Sequence, residues 1–102
     1  MKKLTSIQAK YLRGLAHALK PVVFVGQKGI TPALVNSTVE AFQRHELIKV
    51  KFVDFKQKEH KQEIAAAIEN KTNCRMAGMI GHIAIFYKPH TDPEKRKIVL
   101  PN

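Results

Sequence analysis

Val22-Val23-Phe24-Val25 runs straight into Gly26-Gln27-Lys28-Gly29, and Thr31-Pro32 follows one residue later. A short run of β-branched and aromatic residues predicts a buried strand. Two glycines permit backbone conformations and close approaches that a Cβ would block. Thr31 is a favourable helix N-cap, and Pro32 suits the first helical position, where no amide proton is needed. The stretch from 22 to 32 therefore predicts a strand, a tight exposed loop and a helix start. It also places a polar Gln27 and a cationic Lys28 at the loop tip, with helix N–H groups nearby that attract anions. Such a loop can press flat against a phosphodiester backbone.

Charge narrows the choice of partner. Eighteen Lys and Arg face eight Asp and Glu, a formal net charge of +10. All six charged residues before Glu40 are cations: Lys2, Lys3, Lys10, Arg13, Lys20 and Lys28. A surplus of this kind points to a polyanion, nucleic acid first and an anionic membrane second. The 102 residues suffice for one domain with its own core. A single cysteine, Cys74, cannot form an internal disulfide, which fits a reducing cytoplasm. No apolar leader follows Lys2 and Lys3, and no run approaches the length of a membrane span.

Periodicity supplies the remaining elements. Thr5 and Gln8 match a capping box, and a helical pattern follows to about Leu19. On a helical wheel Ile7, Tyr11, Leu12, Leu15, Ala18 and Leu19 share one side, the expected core face. Lys10, Arg13, His17 and Lys20 share another, a basic stripe without an acid to neutralise it. A second helix is predicted from Pro32 to about His45, with Val35, Thr38, Val39 and Phe42 inward. Residues 47–54 alternate, with Ile48, Val50 and Phe52 on one side and Lys49 and Lys51 on the other, as a half-buried strand requires. A third helix is expected over 56–71, with Ile64, Ala67 and Ile68 inward and Lys61 on a solvated face. Residues 73–79 and 82–87 predict a hairpin. The expected fold class is α/β, a single compact domain of order α-β-α-β-α-β-β, with a four-stranded mixed sheet packed by helices. Residues after Pro89 read as a basic tail in which Ile98-Val99-Leu100 either adds an edge strand or docks on the surface.

Catalytic patterns are missing from this sequence. None of His17, His45, His60, His82 and His90 pairs with Cys74 or another histidine at a zinc-ligand spacing. The Gly26–Gly29 loop is too short for a nucleotide-hydrolysing phosphate loop and lacks its Lys-Ser/Thr. Neither Ser6 nor Ser37 lies in a nucleophile elbow, and Cys74 sits in an apolar strand, where a buried inert thiol is expected. The expectation is a non-enzyme with no cofactor, no metal and no small-molecule substrate.

The basic first helix, the strand 22–25, Gly-Gln-Lys-Gly-Ile-Thr and the closing Gly-His-Ile-Ala-Ile-Phe-Tyr-Lys-Pro (81–89) together resemble the YhbY family. These are the free-standing bacterial members of the CRM (chloroplast RNA splicing and ribosome maturation) domain. The resemblance covers about residues 3 to 90. It implies a fold similar to the C-terminal domain of translation initiation factor 3. It also implies RNA binding through a Gly-x-x-Gly loop analogous to that of KH domains, and association with precursors of the large ribosomal subunit in bacteria. In plant organelles, related domains act in group II intron splicing. Residue by residue, the loop carries over to Gly26, Gln27, Lys28 and Gly29, and the basic helix, less closely, to Lys10, Arg13, His17 and Lys20. The implied division is a CRM-like RNA-binding domain over 1–90 and a basic tail over 91–102. The rival expectation is a module that docks on ribosomal proteins without touching RNA. Phe24, Phe52 and Phe86 read as core residues and only Phe55 and Tyr87 as surface aromatics, which favours backbone clamping over base stacking.

Overall fold

The computed structural model describes residues 2–54 and 57–102. Three helices, α1 (Ser6–Ala16), α2 (Pro32–Arg44) and α3 (Lys58–Thr72), alternate with four strands, β1 (Pro21–Val25), β2 (Leu47–Phe52), β3 (Arg75–Ile80) and β4 (Ile83–Tyr87). The sheet order is β1-β2-β4-β3, with β1 parallel to β2 and the other neighbours antiparallel. This is the expected element order and the expected mixed sheet.

Local chemistry explains the boundaries. The capping box at α1 is complete, since Thr5 Oγ1 accepts from Gln8 N at 3.1 Å and Gln8 Oε1 accepts from Thr5 N at 3.1 Å. Thr31 Oγ1 accepts from Leu34 N at 3.1 Å at the start of α2, with Pro32 in the first turn. Asn73 ends α3 in the left-handed region at φ 52°, a role that suits its short polar side chain. The hairpin turns at Gly81 and His82, where Gly81 has φ 60°, the positive value a II′ turn needs at its first central residue.

Successive strand residues point to opposite faces, and each face has its own core. Val23, Val25, Ile48, Val50, Phe52, Ala84 and Phe86 face α2 and α3, where they meet Leu34, Phe42, Ala65 and Ile68. Leu47, Ala77, Ile85 and Tyr87 face the other way and meet Leu12 and Ala16 of α1. Leu4, Ile98 and Leu100 close this second cluster. The tail therefore docks on the surface rather than extending the sheet. Glu46 holds it there: its carboxylate accepts from His90 N at 2.9 Å, Lys97 N at 2.7 Å and Ile98 N at 3.0 Å. Gln8 Nε2 adds a bond to Pro101 O at 3.0 Å.

Several expected core positions are corrected. On α1 only Leu12 and Ala16 are buried, while Ile7, Tyr11, Leu15 and Leu19 remain substantially exposed. The helix ends at Ala16, so Ala18 and Leu19 lie beyond it. Its line of contact is set instead by the small Ala16 and by Arg13, which seats over Gly78. A Cβ on Gly78 would stand 2.6 Å from Arg13 Cδ. On α2 the buried positions are Leu34, Thr38 and Phe42, and Val39 faces solvent. Buried Thr38 satisfies its hydroxyl by donating to Leu34 O at 2.9 Å. On α3, Lys61 is buried rather than solvated, because its ammonium donates to Gly81 O at 2.7 Å and so caps the hairpin turn. Tyr87 is buried, not on the surface, and Phe55 lies outside the described residues. Cys74 is buried as expected, and burial pushes its thiol up to about 11, so it stays protonated at neutral pH.

Candidate nucleic-acid interface

The loop after β1 is a closed turn, with Gly29 N donating to Gly26 O at 3.0 Å. Gln27 and Lys28 occupy its tip and are exposed. The two glycines serve different ends. Gly29 is buried with φ 65°, a conformation that strains other residues. Gly26 is exposed, and a Cβ built there meets nothing within 4 Å. The fold thus requires glycine at 29, whereas at 26 the space it leaves opens to solvent. The first turn of α2 is already partly spoken for. Pro32 has no amide proton and Leu34 N is taken by Thr31, which leaves the Ala33 amide as the remaining N–H of that turn. The loop also forms one wall of an open groove along the free edge of β1, about 500 Å³ in volume. Phe24, Gln27, Lys28, Thr31 and Ser37 line it.

The basic helix is less uniform than its wheel suggests. Lys10, His17 and Lys20 are exposed. Arg13 is half-buried, with Nη1 donating to Ala77 O at 2.8 Å and its stem packed on Gly78. It fastens α1 to β3. The segment after α1 is fastened too, since Lys49 Nζ donates to Leu19 O at 2.9 Å.

Stripe and loop do not form one patch. Lys20 immediately precedes β1 and the loop immediately follows it. With about 3.3 Å per strand residue, Lys20 and Gly26 stand about 20 Å apart along the strand. No acidic residue lies on α1 or on any of the four strands, which carry Lys10, Arg13, Lys49, Lys51 and Arg75. The acids sit elsewhere, with Glu40 on α2, Glu59, Glu63 and Glu69 on α3, and the others in connections and the tail. Among the described residues no group of three or more His, Cys, Asp or Glu is placed to hold a metal ion, and no helix is long and apolar enough to cross a membrane.

A model of the CRS1 / YhbY (CRM) domain matches residues 4–88. The chain belongs to this family. A relative from Haemophilus influenzae, named an RNA-binding protein, is 42% identical over 101 residues, covering 99% of this chain and 98% of its own. YqeI of Bacillus subtilis, also named for RNA binding, is 32% identical over 98 residues, or 96% of this chain and 99% of its own. A Staphylococcus aureus protein solved in solution, described as a candidate RNA-binding protein, superimposes with a TM-score of 0.83 at 28% identity. It covers 96% of this chain and 99% of that one. The CRM match stops at residue 88, ahead of the docked tail.

Sequence reasoning missed Phe24, which it placed in the core. The ring is 56% exposed, whereas its neighbours Val23 and Val25 are fully packed. The signal was available in the alternation of β1, but four apolar residues in a row concealed it. β1 is an edge strand that α1 does not cover, so one side of it stays open.

Proposed function

We propose that this chain is a non-catalytic RNA-binding protein that acts on ribosomal RNA or a precursor of the large subunit during ribosome assembly. The observation that carries the reading is the acid-free layer formed by α1 and the sheet, edged by an exposed Gly-Gln-Lys-Gly turn. Gly26 lets the RNA backbone approach, Lys28 supplies charge, Gln27 supplies a hydrogen bond and the Ala33 amide receives a phosphate oxygen. Lys10, His17 and Lys20 extend the positive surface, while Arg13 positions α1. The family membership and the names of the relatives support RNA as the partner.

Sedimentation of a cell lysate at low and high salt tests the assignment. The expected outcome is comigration with particles near the large subunit, released by salt, and its loss in Lys28→Glu. In binding assays, Lys28→Glu lowers RNA affinity and the slope of log K against log salt, by roughly 0.7 for a single strand or 0.9 for duplex. Migration at the top of the gradient under both conditions rejects the ribosomal part. Unchanged affinity in Lys28→Glu rejects the loop.

A second reading, docking on a ribosomal protein, draws on the exposed apolar ridge Ile7, Tyr11, Leu15 and Leu19. It predicts particle association that survives high salt and is lost in Tyr11→Lys.

A further inference from the structure

The loop and Lys20 bracket β1, so a strand of nucleic acid touching both must pass along it. What it meets there is Phe24. Register fixes its surroundings. Phe24 pairs with Lys51, Lys51 with Ile83, and Ile83 with Ile80, forming one row across the sheet. Their chain neighbours Val23, Val25, Val50, Phe52, Ala84 and Met79 face α2 and α3. The row therefore points to the other face, at the end that α1 and the tail leave open. Ile80 is 63% exposed, and Lys51 is exposed as well. At the strand edge Phe24 also reaches the groove between β1 and α2, which Gln27, Lys28 and Ser37 line and which Lys51, Ile80 and Ile83 do not. Of the described aromatic side chains, only Phe24 and Tyr11 are exposed, and Tyr11 lies on the far helix.

An exposed aromatic ring on an edge strand, with a lysine beside it in the sheet and the Gly-Gln-Lys-Gly loop at its end, has the parts of a single-strand site. Asp54, whose amide meets Val25 O at 3.4 Å, is the one acid among the described residues at that end of the strand. Cations hold the phosphates, and the ring offers its face to a base. A duplex cannot use this arrangement, because its bases are stacked on one another. We infer that Phe24 is a stacking platform for one unpaired nucleobase, with Lys51 taking an adjoining phosphate and Ile80 and Ile83 forming the apolar floor. The site rests on the RNA-binding reading above and deepens it: the ligand is single-stranded RNA, or a loop or bulge within a folded one.

The chain has no tryptophan, so Phe24→Trp installs a single reporter that can itself stack. Three proteins are compared: the parent, Phe24→Trp and Phe24→Ala. Each is titrated by fluorescence anisotropy against an end-labelled unpaired oligoribonucleotide and against an RNA duplex with the same number of phosphates. Because Phe24 is largely exposed, both variants keep the fold, and thermal melts verify this. The expected result is quenching of the introduced indole's emission by the unpaired strand and little quenching by duplex. Phe24→Ala weakens unpaired-strand binding about 5- to 100-fold, with the salt slope unchanged and duplex binding unaffected. Salt-dependent binding with neither quenching nor any loss in Phe24→Ala overturns the stacking site and leaves the RNA-binding reading standing. Absence of binding by the parent to either RNA removes both together. Equal quenching by duplex and by unpaired strand overturns the preference for an unpaired base.

Discussion

The sheet face under α2 and α3 is closed from end to end, while the face under α1 is closed at one end only. On the first, residues from β1, β2 and β4, with Met76 and Met79 of β3, lock against two helices. On the second, α1 and the tail seal Leu47, Ala77, Ile85 and Tyr87, and Phe24, Lys51 and Ile80 stay in solvent. One face therefore holds the fold together. The other gives up part of its burial to present cations and an aromatic ring. Among the helices the acids divide the same way, with α2 and α3 carrying four and α1 carrying none, while the docked tail brings Asp92 and Glu94.

Two phenylalanines on adjacent strands test this division most sharply. Phe52 is fully buried against α2 and α3, so Phe52→Ala should cost about 3–5 kcal/mol of folding stability. Phe24→Ala should change stability by no more than about 0.5 kcal/mol. Urea unfolding measures both, and comparable losses would break the division into a structural and a presenting face.

Glu46 comes next. Burial pushes its carboxyl up, but backbone amides of His90, Lys97 and Ile98 outweigh that, aided by the nearby His90 charge, and the net is a pKa below the usual 4.5. A carboxyl held lower in the folded than in the unfolded chain stabilises the fold above its unfolded pKa. That contribution is lost as pH falls through the folded value. Glu46→Ala should cost about 1–2 kcal/mol at neutral pH by leaving three partly buried amides without their acceptor. The gap to the parent should narrow below pH 4.5. A gap independent of pH would mean that the charge on Glu46 adds nothing to the bonds its carboxyl makes.

The smallest stability effect with a definite sign is at Gly78. A methyl group there collides with the Arg13 stem, which has to swing away from Ala77 O. Gly78→Ala should cost about 1–2 kcal/mol, and adding Arg13→Ala to it should cost less than the sum of the two single changes. Strict additivity would show that the two residues are not seated on each other.

The sequence made most of the fold legible because its punctuation is strong. Thr5 with Gln8, Thr31 with Pro32, and Gly81 each specify a local geometry that needs no tertiary help. The loop was legible for the same reason. Burial was harder to read, because it depends on which side of an element has a neighbour. The α1 wheel placed the core on a side of which only Leu12 is buried. Arg13 on Gly78 decides where the helix touches the sheet, and its bond to Ala77 O spans 64 positions in the chain. Lys61 looked solvated because its acceptor, Gly81 O, is 20 residues away. Phe24 looked buried because the place of β1 at the sheet edge comes from strand order rather than from its own residues.

Gln8 completes the α1 cap with one amide atom and binds Pro101 O with the other. The opening of the first turn of α1 and the release of the tail are thus coupled through one side chain. Loss of Gln8 should raise amide exchange both near Ala9 and in the tail. A fragment cut at the family boundary would keep the Gly-Gln-Lys-Gly turn intact. It would leave Leu12, Ala16 and Tyr87 as a wet seam, and the helix that carries the basic residues would become the first part of the molecule to breathe.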